Sequence, residues 1–342
     1  MNTVDPDLLA MMDGVFADYR QSRGHLPARE RVTVDRVLWE RLDALGLIRL
    51  TVPEGAGGSG AGWYEAAELL SAAARHGVRL PLAEHDLLAC WLLDAVGEPV
   101  DDAVRTAFCA PQAGDAVVPW AGEADRVVVL WHTGEGYRLA EVDTTELSVR
   151  AGVNLIGEPR DTVCADTAAL TGRPVPTELV TVLRQKSALV KAVQVCAALD
   201  QAVSLSIEHA TSRVQFGRPL TKFQAIQHLV ADAASEAALA RCATEAALAT
   251  AVRTGWTSPQ LDFQIATARS CVGHACSVVV RNTHQVHGAI GTTHEHRLHE
   301  YTRAALAWRS EHGSVQFWDT QVAAAAAAAG PGGLWPLIVA GG

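Results

Sequence analysis

Lysine is almost missing from this sequence: only Lys186, Lys191 and Lys222 occur in 342 residues, and 28 basic side chains face 38 acidic ones for a formal charge of -10. That balance lacks the basic footprint of a nucleic-acid binder, so no nucleic-acid partner is expected. Paired cysteines are missing too. The seven present (Cys90, Cys109, Cys164, Cys196, Cys242, Cys271, Cys276) are odd in number and contain no C-x-x-C pair, which excludes a zinc ribbon or dithiol centre and suits small core residues in a reducing compartment. The start, MNTVDPDLLAMMDG, has no cationic segment followed by an apolar core, so neither a secretory signal nor a transit peptide is expected and the expected location is cytoplasmic. The longest uncharged stretch, Thr320 to Gly342, is alanine-rich and broken by Gly330-Pro331 and Pro336, which reads as a helix end and tail; no membrane span is expected.

What is present points to a globular chain. Hydrophobic residues make up 49%, too many for long disorder, and the length predicts two or three domains at about 100–200 residues each. From Pro6 to about Ala110 apolar residues recur at helical spacing, as in Leu38, Leu42 and Leu45. Short β-branched runs such as Arg126-Val-Val-Val-Leu-Trp131 and Leu147-Ser-Val-Arg150 follow, set apart by Gly and Asp turns. Long Ala/Leu/Val-rich helical stretches then run from about Thr181. The predicted organisation is an N-terminal helical domain over residues 1–112, a reduced middle β-domain over 113–177, a C-terminal four-helix bundle over 178–330 and a tail over 331–342. Segregated helices and strands exclude a doubly wound sheet; the class is mainly α with a small β-domain.

Three segments carry candidate chemistry. Gly55-Ala-Gly57-Gly-Ser-Gly60 matches G-x-G-x-x-G, but the dinucleotide fingerprint needs a βαβ unit that these helical surroundings lack, so a turn is favoured. His294-Glu-His296-Arg-Leu-His299 fails the H-E-x-x-H pattern because position 298 is leucine; no metal ligands are assigned and a solvated helix start is favoured. The third runs from Arg213-Val-Gln-Phe216-Gly-Arg-Pro to Phe223-Gln224 and opens a helix whose apolar face includes Phe223, Ile226 and Val230. Its guanidinium suits a phosphate, its glutamines suit a pyrophosphate or adenosine, and its phenylalanine offers a flat contact, while a plain helix-hairpin turn explains the pattern equally well.

Arg-x-Gln-Phe-Gly followed by Phe-Gln resembles the acyl-CoA dehydrogenase signature, and Gln285-Val-His-Gly288-Ala-Ile-Gly291 with Arg303 downstream resembles a second. Leu45-Gly-Leu, Val52-Pro-Glu and Gly57-Gly-Ser-Gly60 are similar to that family's N-terminal domain. The resemblance implies a helical domain, a β-domain and a four-helix bundle. It also implies FAD-dependent oxidation of an acyl-CoA to its 2-enoyl thioester: a glutamate takes the α-proton, hydride passes to the flavin, and an electron-transfer flavoprotein is the acceptor. Carried over by position, Arg213, Gln215, Phe216, Gln224, Gln285 and Gly288 fall where the family holds the ADP half of an FAD seated largely in the neighbouring subunit.

The rest of the family's site is altered. An ungapped count from Arg303 to the usual base reaches His312, with Glu311 beside it; on a helix one residue turns a side chain by about 100°, so Glu311 is expected to face away. The alternative base position counts to Ser187 or Ala188, neither a carboxylate. No Thr-Glu followed by a Gly-Ser-Asp segment, which the resemblance would use to hold the isoalloxazine, appears in the β-region. The chain is therefore similar to the non-catalytic-type subunit of actinobacterial α2β2 acyl-CoA dehydrogenases, a subtype associated with steroid side-chain thioesters, whose homologous partner carries the base. Two alternatives stay open: a self-sufficient homo-oligomeric flavoenzyme using His312 or Glu311, and a redox-inactive acyl-CoA-binding or scaffold protein.

Overall fold

The structure is a computed structural model that describes residues 4–23 and 30–339, and the chain divides into two compact units with Ser187 and Ala188 on either side of the main boundary. In the first unit, α2 (Arg36–Ala44) starts where the Asp35 carboxylate accepts from the Val37 and Leu38 amides at 3.2 Å, satisfying donors that a helix start leaves open. It buries Leu38, Trp39 and Leu42. A π-helical segment, Ala83–Cys90, runs into α4 (Trp91–Ala95) and is buried at every residue. Helices α1 (Pro6–Arg23) and α3 (Trp63–His76) contribute to both units.

Seven strands follow: β1 (Arg105–Cys109), β2 (Ala116–Pro119), β3 (Arg126–Thr133), β4 (Gly136–Asp143), β5 (Ser148–Arg150), β6 (Arg160–Cys164) and β7 (Arg173–Val175). They form one sheet in the order β1-β3-β4-β7 and another in the order β2-β6-β5. Along β3, Val128 and Leu130 pack with Leu88, Leu92, Leu93, Val180 and Leu183, while Val127, Val129 and Trp131 pack with Phe108, Val118, Val142 and Val163. A strand buried on both faces explains the unbroken apolar run in the sequence. β1 corrects the expectation of helix as far as Ala110, because its residues pair in parallel with β3, Arg105 opposite Arg126. The Arg105 side chain is fully buried; its Nε donates to Glu141 at 2.6 Å and its Nη1 to the carbonyls of Asp101 and Ala103 at 2.9 and 2.8 Å.

The second unit is helical. It contains most of α5 (Thr177–Ser212), a hairpin of β8 (Val214–Gln215) and β9 (Arg218–Pro219), α6 (Gln224–Thr254), α7 (Leu261–His287), α8 (Leu298–Trp308) and α9 (Val315–Val339). Ala233, Ala237, Ala240, Thr244, Ala247 and Ala251 form the buried stripe of α6 at three- and four-residue spacing, the pattern of a packed helix face. Arg20 donates to both carboxylate oxygens of Glu300 at 2.7 and 2.8 Å, with both side chains buried, and so ties α1 to α8. The expected tail is corrected as well: after a break at Gly330 (φ 65°), residues 331–339 are helical, with Pro331 opening the new turn; residues 340–342 lie outside the described residues. α5 and α9 are each long and apolar enough to cross a membrane, but 72% of the apolar window of α5 is buried within the fold.

Candidate functional site

One end of the helical unit gathers the six residues expected to hold a dinucleotide. The hairpin between α5 and α6 pairs Gln215 with Arg218 around Phe216 and Gly217, both at positive φ (51° and 76°), the backbone of a tight two-residue β-turn. Glycine adopts that conformation freely, whereas a phenylalanine there is strained by about 1–2 kcal/mol. Phe216 nonetheless sits there 90% exposed. Beside it the Arg218 guanidinium lies over the Phe223 ring, 4.3 Å from its centroid. Asn282 of α7 donates to the Leu229 carbonyl and the Asp232 carboxylate of α6 at 3.3 and 2.8 Å, so the end of α7 meets the start of α6. The rings of His209 and His287 stack at 4.5 Å, which brings the end of α5 to the same place. Arg213, Gln215, Phe216, Gln224, Gln285 and Gly288 are all exposed there. Gly288 has φ 64° and open space where a Cβ would stand, and the first turn of α6 follows Phe223, which caps it with no side-chain hydrogen bond. A helix start without a side-chain cap, with Arg213, Arg218 and Lys222 close in sequence, suits an anionic diphosphate.

The expected base positions look different. α8 ends at Trp308 and residues 309–313 form a turn, with His312 at φ 55° and exposed, so, contrary to expectation, no helical step separates Glu311 from His312. The buried Arg269 guanidinium fixes this turn by donating to the carbonyls of Arg309 and Glu311 at 2.9 and 2.7 Å, and its burial lowers its pKa to about 10. The Glu311 carboxylate turns onto the buried Lys191 ammonium at 3.3 Å, and that ammonium also donates to Gln194 at 3.0 Å. Ser187 is buried and bonds back to the Leu183 carbonyl at 2.7 Å, and Ala188 is buried beside it in sequence.

Two further features were read only partly from sequence. In the glycine-rich loop the amides of Ser59, Gly60 and Ala61 bond to the carbonyls of Arg49, Val52 and Leu50 at 2.9–3.0 Å, so these donors close a turn and are not turned to a phosphate. His296 comes together with His209 and His287, their nearest nitrogens all within 4.8 Å of one another; spacing does not announce this because the three lie on segments far apart in the chain. In the first unit, Lys186 is buried with its Nζ 3.6 Å from the Trp91 ring centroid, and desolvation lowers its pKa to about 6. Asp86, buried and accepting from the Thr51 amide at 3.1 Å, is raised to about 7 mainly by desolvation.

The class to which this helical unit with a polar, glycine-turned end and its companion β-containing unit belong is specified by comparison with known proteins. Residues 16–101 match the family model described as acyl-CoA dehydrogenase, N-terminal domain, and residues 181–327 match acyl-CoA dehydrogenase, C-terminal domain. The chain belongs to the acyl-CoA dehydrogenase family, whose members are FAD-dependent oxidoreductases. It is 28% identical over 299 residues to acyl-CoA dehydrogenase IpdE2 of Mycobacterium tuberculosis, covering 84% of this chain and 83% of that one. The fold is similar to a chain of the ChsE4-ChsE5 complex from Mycobacterium tuberculosis, with TM-score 0.81, 22% identity and coverage of 95% and 98%. It is equally similar to a chain of the Tcur3481-Tcur3483 steroid ACAD G363A variant, with TM-score 0.81, 22% identity and coverage of 94% and 97%. The residues at the polar end fit the diphosphate and adenosine part of FAD: a cradle without a Cβ at Gly288, an arginine, three amides and an exposed aromatic ring.

Proposed function

We propose that this chain is the non-catalytic-type subunit of a heteromeric FAD-dependent acyl-CoA dehydrogenase and lends its polar end to the ADP half of an FAD seated mainly in a homologous partner. Phe216 is the observation that carries the reading. A large apolar ring held in a strained turn and 90% exposed costs stability in an isolated chain, and insertion against a neighbour's nucleotide accounts for it. Arg213 pairs with a phosphate oxygen, while Gln215, Gln224 and Gln285 hydrogen-bond the diphosphate and adenosine, and Gly288 lets its backbone approach. Bound FAD supplies the hydride acceptor for α,β-dehydrogenation of the thioester.

Proton abstraction falls to the partner, because Glu311 is engaged with Lys191 at 3.3 Å and neither Ser187 nor Ala188 carries a carboxylate. An α2β2 assembly, with an electron-transfer flavoprotein as acceptor, follows from the resemblance. Two neighbours of the same fold bear paired names, one of them a steroid ACAD, which supports a partner subunit and a steroid-derived acyl chain. The reading is tested by Arg213→Ala in the co-purified complex. Loss of one phosphate-directed guanidinium weakens FAD retention by about 10-fold or more with the subunits still associated; unchanged retention overturns it.

A further inference from the structure

We infer that His209, His287 and His296 form a binding site for a divalent transition-metal cation that prefers imidazole, such as Zn2+, Co2+ or Ni2+. Their nearest nitrogens lie within 4.8 Å of one another, close enough for one ion to span after small ring rotations. His287 is 94% buried by its 6% exposure, and its Nδ1 lies 2.8 Å from the Thr283 carbonyl, an acceptor only. That bond puts the proton on Nδ1 and leaves a lone pair on Nε2, a buried atom with no hydrogen-bond partner. A backbone carbonyl orienting one nitrogen so that the other can ligate is the usual support of a metal-bound histidine. An unpaired buried acceptor otherwise costs stability, and the ring that carries it lies 4.5 Å, centroid to centroid, from the rings of His209 and His296.

The surroundings select the type of ion. The charged neighbours are Arg213 toward His209 and Glu208 toward His296, with His284 and His299 close by. Three imidazole ligands with no carboxylate among them disfavour Mg2+ and Ca2+ and suit the later first-row metals. Half-buried His209 and His296 leave the remaining position toward solvent. Two adjustments accompany binding. His209 turns out of its stack with His287, and His296, whose Nδ1 now accepts from the Leu298 amide at 3.1 Å, releases that amide as its proton moves to Nδ1.

The test is direct titration of the untagged full chain, in the assembly in which it purifies, with Zn2+ against a chromophoric chelator and with Co2+ by visible absorption. We expect one ion per chain and a nitrogen-ligated tetrahedral Co2+ spectrum. His209→Ala and His296→Ala, at half-exposed positions that leave the core intact, each weaken binding by about 100-fold or more, beyond the 10–100-fold effect of losing an outer-shell partner. No stoichiometric binding below about 1 mM, or binding indifferent to both substitutions, overturns the site.

Discussion

Replacing Glu311 by glutamine separates a structural carboxylate from a catalytic one. The Lys191 side chain is 2% exposed and that of Glu311 15%, with the charged atoms 3.3 Å apart. Removing one member of such a buried pair typically costs about 3–5 kcal/mol, because the other charge is left uncompensated. Here glutamine retains an oxygen, Gln194 still accepts from the Lys191 ammonium at 3.0 Å, and Glu311 is partly hydrated, so the expected loss is about 2 kcal/mol, or roughly 30-fold in the folding equilibrium. Urea unfolding of the co-purified complex measures it. Adding Lys191→Met should recover much of the loss, since the two residues act as a pair. Turnover by the complex should change by less than about twofold, whereas removing a general base lowers it by about 10²–10⁴-fold. A large fall in kcat with undiminished stability would refute the assignment.

Three other outcomes follow from buried ionisable groups. Lys186, at about 6 against an ordinary 10.5, sheds in the folded chain a proton that the unfolded chain holds, so its contribution to stability improves as pH rises from 6 toward 10.5. Lys186→Met should therefore stabilise the protein at pH 7 by about 2–4 kcal/mol and flatten that rise in urea titrations. His85, fully buried with Nδ1 accepting from the Arg105 amide at 3.1 Å, is lowered to about 3 by desolvation and then by Arg105. Because the unfolded imidazole binds protons first, stability should be complete above pH 6.5 and fall as pH drops toward 3, and His85→Asn should make the fall shallower in acid unfolding curves. Glu300→Ala leaves the buried Arg20 guanidinium without its carboxylate and should cost about 3–5 kcal/mol by urea unfolding, with FAD retention in the surviving folded fraction unchanged.

The order of helices, strands and helices could be read from periodicity because β3 and the bundle helices carry long, consistent patterns. β1 could not: its short apolar run fits either period, and what decides is the distant partner β3 together with a cavity for the Arg105 guanidinium. The six residues of the polar end lie in two compact motifs, so resemblance located them. Their common exposure at one end of the bundle depends on α5, α6 and α7 packing, which spacing does not encode. Nothing local announces that Arg269, more than forty residues earlier, binds the turn's carbonyls, so spacing alone puts Glu311 on a helix. His287 stands inside a recognised motif and His296 inside the histidine run read as a helix start, but their approach to His209 arises only when the ends of α5 and α7 meet.

The most direct measurement is the flavin content of this chain purified alone and together with its co-expressed homologous subunit, by absorbance and quantitative subunit analysis. The account predicts colourless protein alone and one FAD for each pair of unlike subunits. One FAD per copy of this chain in its own homo-oligomer, with thioester dehydrogenation intact, would contradict it.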